Sequence, residues 1–329
     1  MKLEQSKIIG LQKWVFIVSV LLLLFKLTAW VYTGSVAILT DALESIVNVV
    51  AGIMGLYSLN LSNKPKDTEH PYGHGKVEFI TSAIEGVLIM VAALFIVFEA
   101  TQHLLHPQAI RSIDFGIVVL LLTSAVNYAL GWYCSKVGKQ SQSVVLMGSG
   151  AHLKSDTYST LGIVIGVVLV KLTNALWLDA SVAILFSLII LRTGYKIIRQ
   201  SVSGIMDETD MLVVDQIVNV LNEHRSKQWI DVHNVRVINY AGFYHIDCHL
   251  TVPYYINVNE AHQQMDAFTA LLHNHFKGQV EFFVHIDGCV PQQCKLCQIQ
   301  ACSHRQTDFD ALQDWTRQNL LDNAKHGLQ

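Results

Sequence analysis

An apolar stretch near the N-terminus, SVAILTDALESIVNVVAGI at residues 35–53, carries three side chains that could bind a cation: Asp41, Glu44 and Asn48. Glu44 follows Asp41 by three residues and precedes Asn48 by four, so the three side chains share one stripe of a helix. An acidic side chain at the centre of a spanning helix costs about 2.5–3.5 kcal/mol, and such residues generally mark functional sites. The spacing therefore predicts a polar site inside a membrane.

A second polar pair occurs in GSGAHLKSDTYSTLG, residues 148–162, where His152 and Asp156 are four residues apart. If the two helices meet, Glu44, Asn48, His152 and Asp156 form one set of nitrogen and oxygen ligands. Two carboxylates would balance a divalent cation, and an imidazole suits zinc, iron or copper better than magnesium. The alternative is that these residues form hydrogen bonds between helices and hold a bundle together.

The chain that must position these residues has 329 residues, of which 51% are hydrophobic and 15% are charged. Soluble domains contain about 25% charged residues, so the composition indicates a membrane protein. Six apolar runs have about the 20 residues that a spanning helix requires, and we predict a transmembrane domain at residues 1–206. These runs lie at residues 10–32, 36–61, 77–105, 113–136, 144–171 and 175–199. The net charge of −3 is too small to indicate a nucleic-acid partner.

Basic residues alternate between the two sides of the predicted spans. They cluster before the first span, between the second and third, between the fourth and fifth, and at the end of the sixth. Because cytoplasmic loops are enriched in Lys and Arg, we predict a multi-pass protein of the lipid bilayer with cytoplasmic N- and C-termini. The lack of a eukaryotic targeting segment favours a bacterial inner membrane.

A soluble domain is predicted at residues 207–288, where the apolar runs stop. Residues 211–224 and 258–276 have helical periodicity, whereas residues 230–240, 243–253 and 279–287 alternate as strands do. The order αββαβ predicts an α+β ferredoxin-like layer of helices on a sheet. A domain of about 80 residues buries a modest core, so dimerisation would add stability.

The tail at residues 289–329 contains a run of cysteines spaced C-x4-C-x2-C-x4-C. These are Cys289, Cys294, Cys297 and Cys302. Because the cytoplasm is reducing, disulfides are not expected there. Four thiolates could bind zinc or, as an alternative, an iron–sulfur cluster. A disordered thiol-rich tail that binds nothing is the other interpretation.

The motifs GSVAILTDALES, HPYGHGKVEF and AHLKSDTYSTLG resemble those of the cation diffusion facilitator family, and the resemblance covers nearly the whole chain. It implies a homodimer that exports a divalent transition metal in exchange for protons. It also implies a transport site formed by Glu44, Asn48, His152 and Asp156. Zinc-transporting members have Asp or His in place of Glu44 and Asp in place of Asn48. Asp41, one turn nearer the outside, would take part in proton release or support the ligands.

The same resemblance implies further metal sites on the cytoplasmic side. In the loop KPKDTEHPYGHGK, it places a peripheral site on Asp67, His70 and His74, for which the alternative is a solvated polar loop. In the soluble domain it implies a regulatory binuclear site at the dimer contact, whose residues would otherwise be structural. That site comprises His233, His249, His262, His285 and Asp287. Lys76 and Asp207 match an interlocking salt bridge of the family.

Other polar residues of the spans are expected to reach the interface or to bond between helices rather than to bind metal. They include Lys26, Glu85, Glu99, Asn127 and Asp179.

The expected function is proton-coupled efflux of Zn²⁺ or of a similar ion such as Co²⁺ or Cd²⁺. Export of Fe²⁺ or Mn²⁺ is the alternative within this class, favoured by the oxygen ligands and by Asn48. A membrane-anchored metal sensor or storage protein, working through the cysteine tail, is the alternative from another class. The sequence contains no GxxxxGK phosphate-binding run, so we expect a secondary transporter and neither an ATP-driven pump nor an enzyme.

Overall fold

The computed structural model describes residues 2–106, 113–141, 144–175, 177–240 and 243–327. The chain divides into two compact units, with the boundary between Ile205 and Met206.

The first unit contains the six predicted spans, and all six are long and apolar enough to cross a membrane. The helices are α1 (Lys2–Thr33), α2 (Val36–Ser62), α3 (Val77–Leu105), α4 (Ile113–Ser141), α5 (Val144–Thr173) and α6 (Trp177–Ile205). Three of them extend well beyond the predicted apolar runs: α1 begins at Lys2, α4 continues to Ser141 and α6 continues to Ile205. Helices persist through lipid because they satisfy their own backbone hydrogen bonds.

Glycines bring pairs of these helices close together. A Cβ atom added to Gly150 of α5 would lie 2.6 Å from the backbone nitrogen of Ser135 and 2.8 Å from the carbonyl oxygen of Gly131, both in α4. A Cβ atom on Gly194 of α6 would similarly lie 3.0 Å from the carbonyl oxygen of Gly86 in α3. In lipid, where helix association depends on close packing, small residues permit such backbone contact.

The start of α2 is fixed by a contact with α6. Ser35 caps α2, and its hydroxyl donates a 2.6 Å hydrogen bond to Asp179 Oδ1. The second Asp179 oxygen accepts the backbone N–H of Val36 at 2.9 Å. A carboxylate at a helix N-terminus satisfies free N–H groups and complements the helix dipole. Asp179 therefore fixes the start of α2, and with it the position of the polar residues along that helix.

The second unit contains a three-stranded sheet and two main helices in the predicted αββαβ order. These elements are α7 (Met211–Glu223), β1 (Asp231–Tyr240), β2 (Phe243–Val252), α8 (Val258–His275) and β3 (Val280–Gly288). The strand order is β1-β2-β3, with β1 antiparallel and β3 parallel to β2. Apolar side chains from one face of the sheet, including Leu250, pack against Leu221 of α7 and Phe268 of α8. The fold class predicted from the sequence is confirmed.

The tail folds back onto this soluble unit. It contains a short 3-10 helix (Pro291–Lys295) and a final helix, α9 (Arg317–Leu321). Trp315 is 2% exposed within the same core, and the Asn222 side chain bonds to both its N–H and its carbonyl oxygen, at 3.1 and 2.7 Å. The guanidinium of Arg225 lies 3.9 Å from the centre of the Trp315 ring. The tail is therefore part of the folded unit.

Candidate metal centre

Helices α2 and α5 meet at Asn48, which contacts both polar residues of the α5 stripe. The Asn48 amide nitrogen donates a hydrogen bond to Asp156 Oδ2, and its oxygen lies 2.5 Å from His152 Nε2. The other imidazole nitrogen of His152 is 3.9 Å from Asp156 Oδ1. The i, i+4 spacing on each helix makes this convergence possible. With Glu44, we call these residues the intramembrane cluster.

Glu44 lies one helical turn before Asn48 on α2. Its Oε2 atom is buried and has no hydrogen-bond partner within the described parts of the chain. A buried carboxylate oxygen without a partner is costly, and in functional sites such an atom is commonly reserved for a ligand. The cluster thus offers one imidazole, one amide and two carboxylates, a donor set that suits a divalent transition metal.

Asp41 lies in a buried ion pair with Lys26. Its Oδ2 is 2.8 Å from Lys26 Nζ of α1, and the two side chains are 0% and 1% exposed. The hydroxyl of Thr160 on α5 donates a hydrogen bond to the other Asp41 oxygen. We call the ion pair between Lys26 and Asp41 the Lys26–Asp41 pair. It joins α1, α2 and α5, and it agrees with the expectation that Lys26 bonds between helices.

The loop between α2 and α3 brings Asp67, His70 and His74 together. The backbone N–H of His70 donates to Asp67 Oδ1 at 2.6 Å, and the His70 ring Nδ1 lies 3.2 Å from the same oxygen. His74 Nε2 is 3.4 Å from Asp67 Oδ2. Gly73, at φ +95°, supplies the left-handed turn between the two histidines. The backbone hydrogen bond from His70, then its side chain, lowers the pKa of Asp67, so the carboxylate is charged at neutral pH.

The three strands of the soluble unit carry a row of histidines. His233 of β1 pairs with His249 of β2, which pairs with His285 of β3, and the ring centres are 5.0 and 4.7 Å apart. Asp287 Oδ2 lies 2.9 Å from His249 Nδ1 and 3.7 Å from His233 Nε2. His233, His249 and Asp287 each offer an atom within 4.8 Å of the others. We call these three residues, with His285, the sheet cluster.

Lys325 also contacts the sheet cluster, and sequence reasoning missed it. Its Nζ lies 3.0 Å from Asp287 Oδ1. Burial alone would raise the pKa of Asp287, but hydrogen bonds from His249 and Lys325 outweigh it and lower the pKa. Because Lys325 neutralises the carboxylate that a cation would use, it would compete with a metal ion at this position.

Asp231 is a second residue that sequence reasoning missed. It is 2% exposed, its Oδ2 lies 3.3 Å from His233 Nδ1, and it accepts the backbone N–H of His326 at 3.0 Å. Burial alone would raise the pKa of Asp231, but hydrogen bonds from His233 and His326 lower it. A carboxylate behind a metal-binding imidazole orients the ring. The sequence did contain an indication of this contact, because residues two apart in a strand, such as Asp231 and His233, lie on the same face of the sheet.

The remaining predicted residues lie elsewhere. His262 is exposed on α8, and its Nε2 is 3.7 Å from Asp266 Oδ2 rather than in the sheet cluster. Lys76 and Asp207 belong to different units, and their salt bridge stays a prediction. The four tail cysteines are free and line one cavity of the soluble unit.

Comparison with protein families matches both units. Residues 13–206 match the model described as the cation efflux transmembrane domain, and residues 210–289 match the cation efflux protein cytoplasmic domain. An uncharacterized transporter of Synechocystis sp. is 31% identical over 77% of this chain and 82% of its own. The cation-efflux pump FieF of Citrobacter koseri is 28% identical, covering 84% and 91%. The magnetosome protein MamB of Magnetospira sp. is 26% identical, covering 77% and 86%.

Proposed function

Because the chain belongs to the cation efflux family of multi-pass membrane transporters, we propose that it exports a divalent transition metal from the cytoplasm in exchange for protons. Zn²⁺ is the proposed principal substrate, since one imidazole among oxygen donors suits zinc. Members of this family move cations and are not enzymes. The proposed working form is a homodimer in a bacterial inner membrane, with cytoplasmic N- and C-termini.

The contact of Asn48 with both His152 and Asp156 carries this proposal. The three side chains come from two separate spanning helices, so a change in the packing of α2 against α5 would alter all the ligand distances at once. Glu44, with its unpartnered oxygen, supplies the second negative charge. Two carboxylates neutralise one divalent ion, which makes transfer through a low-dielectric region less costly.

Proton exchange follows from the chemistry of the proposed ligands. A metal ion and a proton compete for the same lone pair on an imidazole or a carboxylate. A histidine, with an unperturbed pKa of about 6.5, changes protonation between the pH values of the two sides of an energised membrane. The cation would displace protons from His152 and one carboxylate on the cytoplasmic side. Protons from the more acidic side would then expel the cation after the helices have reoriented.

The cytoplasmic sites would regulate this cycle. We assign the transport machinery to residues 1–206, the regulatory domain to residues 207–288, and the cysteine-containing tail to residues 289–329. Metal bound at Asp67, His70 and His74 would fix the α2–α3 loop. Metal bound at the sheet cluster, with His262 contributing at the dimer contact, would bridge two protomers and favour the transport-competent dimer.

One observation favours a second candidate within the same class, an Fe²⁺ or Mn²⁺ exporter. Asn48 contributes a neutral amide where an acid would give the site another charge, and three of the four proposed ligands are oxygen donors, which suit Fe²⁺ or Mn²⁺. A preference for Fe²⁺ or Mn²⁺ over Zn²⁺ would support this candidate.

Transport into proteoliposomes tests the proposal. The purified protein should take up Zn²⁺ when a proton gradient is imposed, and uptake should be accompanied by proton release that a pH dye reports. Parallel assays with Fe²⁺, Mn²⁺, Co²⁺ and Cd²⁺ establish the substrate, and Asn48→Asp shows how the missing carboxylate affects selectivity.

His152→Ala and Glu44→Gln should abolish exchange. Glu99→Gln is the matched control, because Glu99 lies in α3 beside His103 and outside the intramembrane cluster. A His152→Ala variant that still exchanges metal for protons would refute the proposed site. Wild-type protein that binds metal but moves none would instead indicate a sensor or storage protein.

A further inference from the structure

The four tail cysteines converge in space as well as in sequence. A cavity of about 460 Å³, part of it open to solvent, is lined by Cys289, Cys294, Cys297 and Cys302. Cys297 is buried and the other three are partly buried. Cysteines placed in such a group, without disulfides, are typical of metal-binding loops in a reducing compartment.

The loop that carries these cysteines is held in shape by Arg305. Its guanidinium donates hydrogen bonds of 2.8 Å to the carbonyl oxygen of Cys294 and to that of Cys297, and one of 2.9 Å to that of Ile299. At the other end, the backbone N–H of Cys289 bonds to the carbonyl oxygen of Val252 at 2.9 Å. Hydrogen bonds within the protein therefore hold the backbone between the sulfurs.

Each cysteine would bind a cation as a thiolate, because the ion displaces the proton of the thiol.

We propose that Cys289, Cys294, Cys297 and Cys302 form a four-thiolate site that holds either a zinc ion or an iron–sulfur cluster. Four thiolates suit both. The C-x4-C-x2-C spacing of the first three also occurs among [2Fe–2S] ligands of plant-type ferredoxins. The site is separate from the intramembrane and sheet clusters and does not depend on the proposed transport function.

The size of the metal centre distinguishes the two occupants. Zn–S bonds of about 2.3 Å place tetrahedral sulfurs about 3.8 Å apart. Among the described residues, two groups have ligand atoms that all lie within 4.8 Å of one another. They are Asp67, His70 and His74 in the loop, and His233, His249 and Asp287 on the sheet. The four cysteines are in neither group. A single zinc ion would therefore require the four sulfurs to move closer together, whereas a two-iron cluster, which binds two sulfurs on each iron, allows a wider separation.

The loop is also connected to the sheet cluster. Gln293, between Cys289 and Cys294, is fully buried, and its amide nitrogen donates a 3.3 Å hydrogen bond to Asp231 Oδ2. Asp231 in turn contacts His233. A metal centre that fixes the cysteine loop would thereby fix the carboxylate that orients His233.

The test uses the full-length protein purified anaerobically in detergent. An iron–sulfur cluster would give visible absorption with acid-labile sulfide, whereas zinc at this site would give neither and would raise the zinc content by one ion per chain over that of a variant with serine at all four positions. Cobalt added after metal removal should produce intense sulfur-to-cobalt charge-transfer absorption, which histidine and carboxylate sites do not give. Replacing all four tail cysteines by serine should abolish the cluster absorption or the cobalt–thiolate absorption. The variant Cys134→Ala/Cys248→Ala, which changes the two cysteines outside the tail, should retain it.

Thiol alkylation of the wild-type protein gives a second measurement that needs no variant. Mass spectrometry should show the four tail cysteines protected as purified and modified after a strong chelator removes the metal. Absence of labile sulfide, zinc and cobalt–thiolate absorption in the wild type would overturn the proposal. Tail cysteines that react equally before and after chelation, or charge-transfer bands that persist in the four-serine variant, would do so too.

Discussion

Breaking the Lys26–Asp41 pair should strongly destabilise the membrane unit. Both side chains are fully buried and their charged atoms are 2.8 Å apart. Replacing Asp41 by Asn leaves the ammonium of Lys26 buried without the carboxylate that it pairs with, and breaking a buried pair in this way costs about 3–5 kcal/mol. At about 2–4 °C per kcal/mol for a unit of this size, the melting temperature should fall by about 6–20 °C.

Removing both charges together should have a different effect. Replacement of a buried ion pair by apolar residues of similar volume is often neutral or stabilising by about 1–4 kcal/mol. The double variant Lys26→Met/Asp41→Leu should therefore melt close to wild type, and the double-mutant cycle should show strong coupling. Tryptophan fluorescence of the detergent-purified protein measures the melting temperatures, and proteoliposome uptake measures the activity.

The Lys171–Asp114 pair provides the matched control. Its side chains are 48% and 79% exposed, so Asp114→Asn should change the melting temperature little. An Asp41→Asn protein that melts as wild type does would refute the assignment of a structural ion pair. A double variant that folds well but transports no metal would show that Asp41 takes part in proton release, the role that the sequence resemblance suggests for it.

Three further predictions concern other parts of the chain. Lys325→Met should tighten metal binding at the sheet cluster, measured by calorimetry, because the competing ammonium 3.0 Å from Asp287 is removed; unchanged or weaker binding would contradict this role. Trp315→Ala should destabilise the soluble unit by about 3–5 kcal/mol and make the tail sensitive to limited proteolysis, whereas a protease-resistant tail would show that its packing matters little. Gly150→Ala should lower the stability of the membrane unit by about 1–3 kcal/mol, because its new Cβ atom would lie 2.6 Å from the Ser135 nitrogen. Gly10→Ala is the control, since nothing lies within 4 Å of the added atom. Equal melting temperatures for the two variants would count against close α4–α5 packing.

The sequence predicted the elements well because each follows from a strong local pattern. Long apolar runs have few stable forms in lipid other than a helix, and alternating apolar residues around a turn favour a hairpin. The polar stripes on α2 and α5 were visible for the same reason, since residues three or four apart share a helix face.

Partners that depend on tertiary packing could not be predicted in this way. The residues that flank Asp41 in the sequence do not indicate that Lys26, on another helix, neutralises its charge. The contact between Asp231 and His326 spans 95 residues, and no local periodicity encodes it. His262 was predicted to lie on a helix of the soluble domain, but its contact with Asp266 on that helix was not anticipated.

The position of Trp315 in the soluble core affects when the soluble unit can finish folding during synthesis. Ribosomes synthesise the chain from its N-terminus, so all six spans can enter the translocon before residue 315 exists. The core that surrounds Leu221 and Phe268 lacks one of its buried side chains until that tryptophan has emerged. The soluble part is therefore incomplete while the spans are already being inserted, and during this interval chaperones and proteases have more access to it.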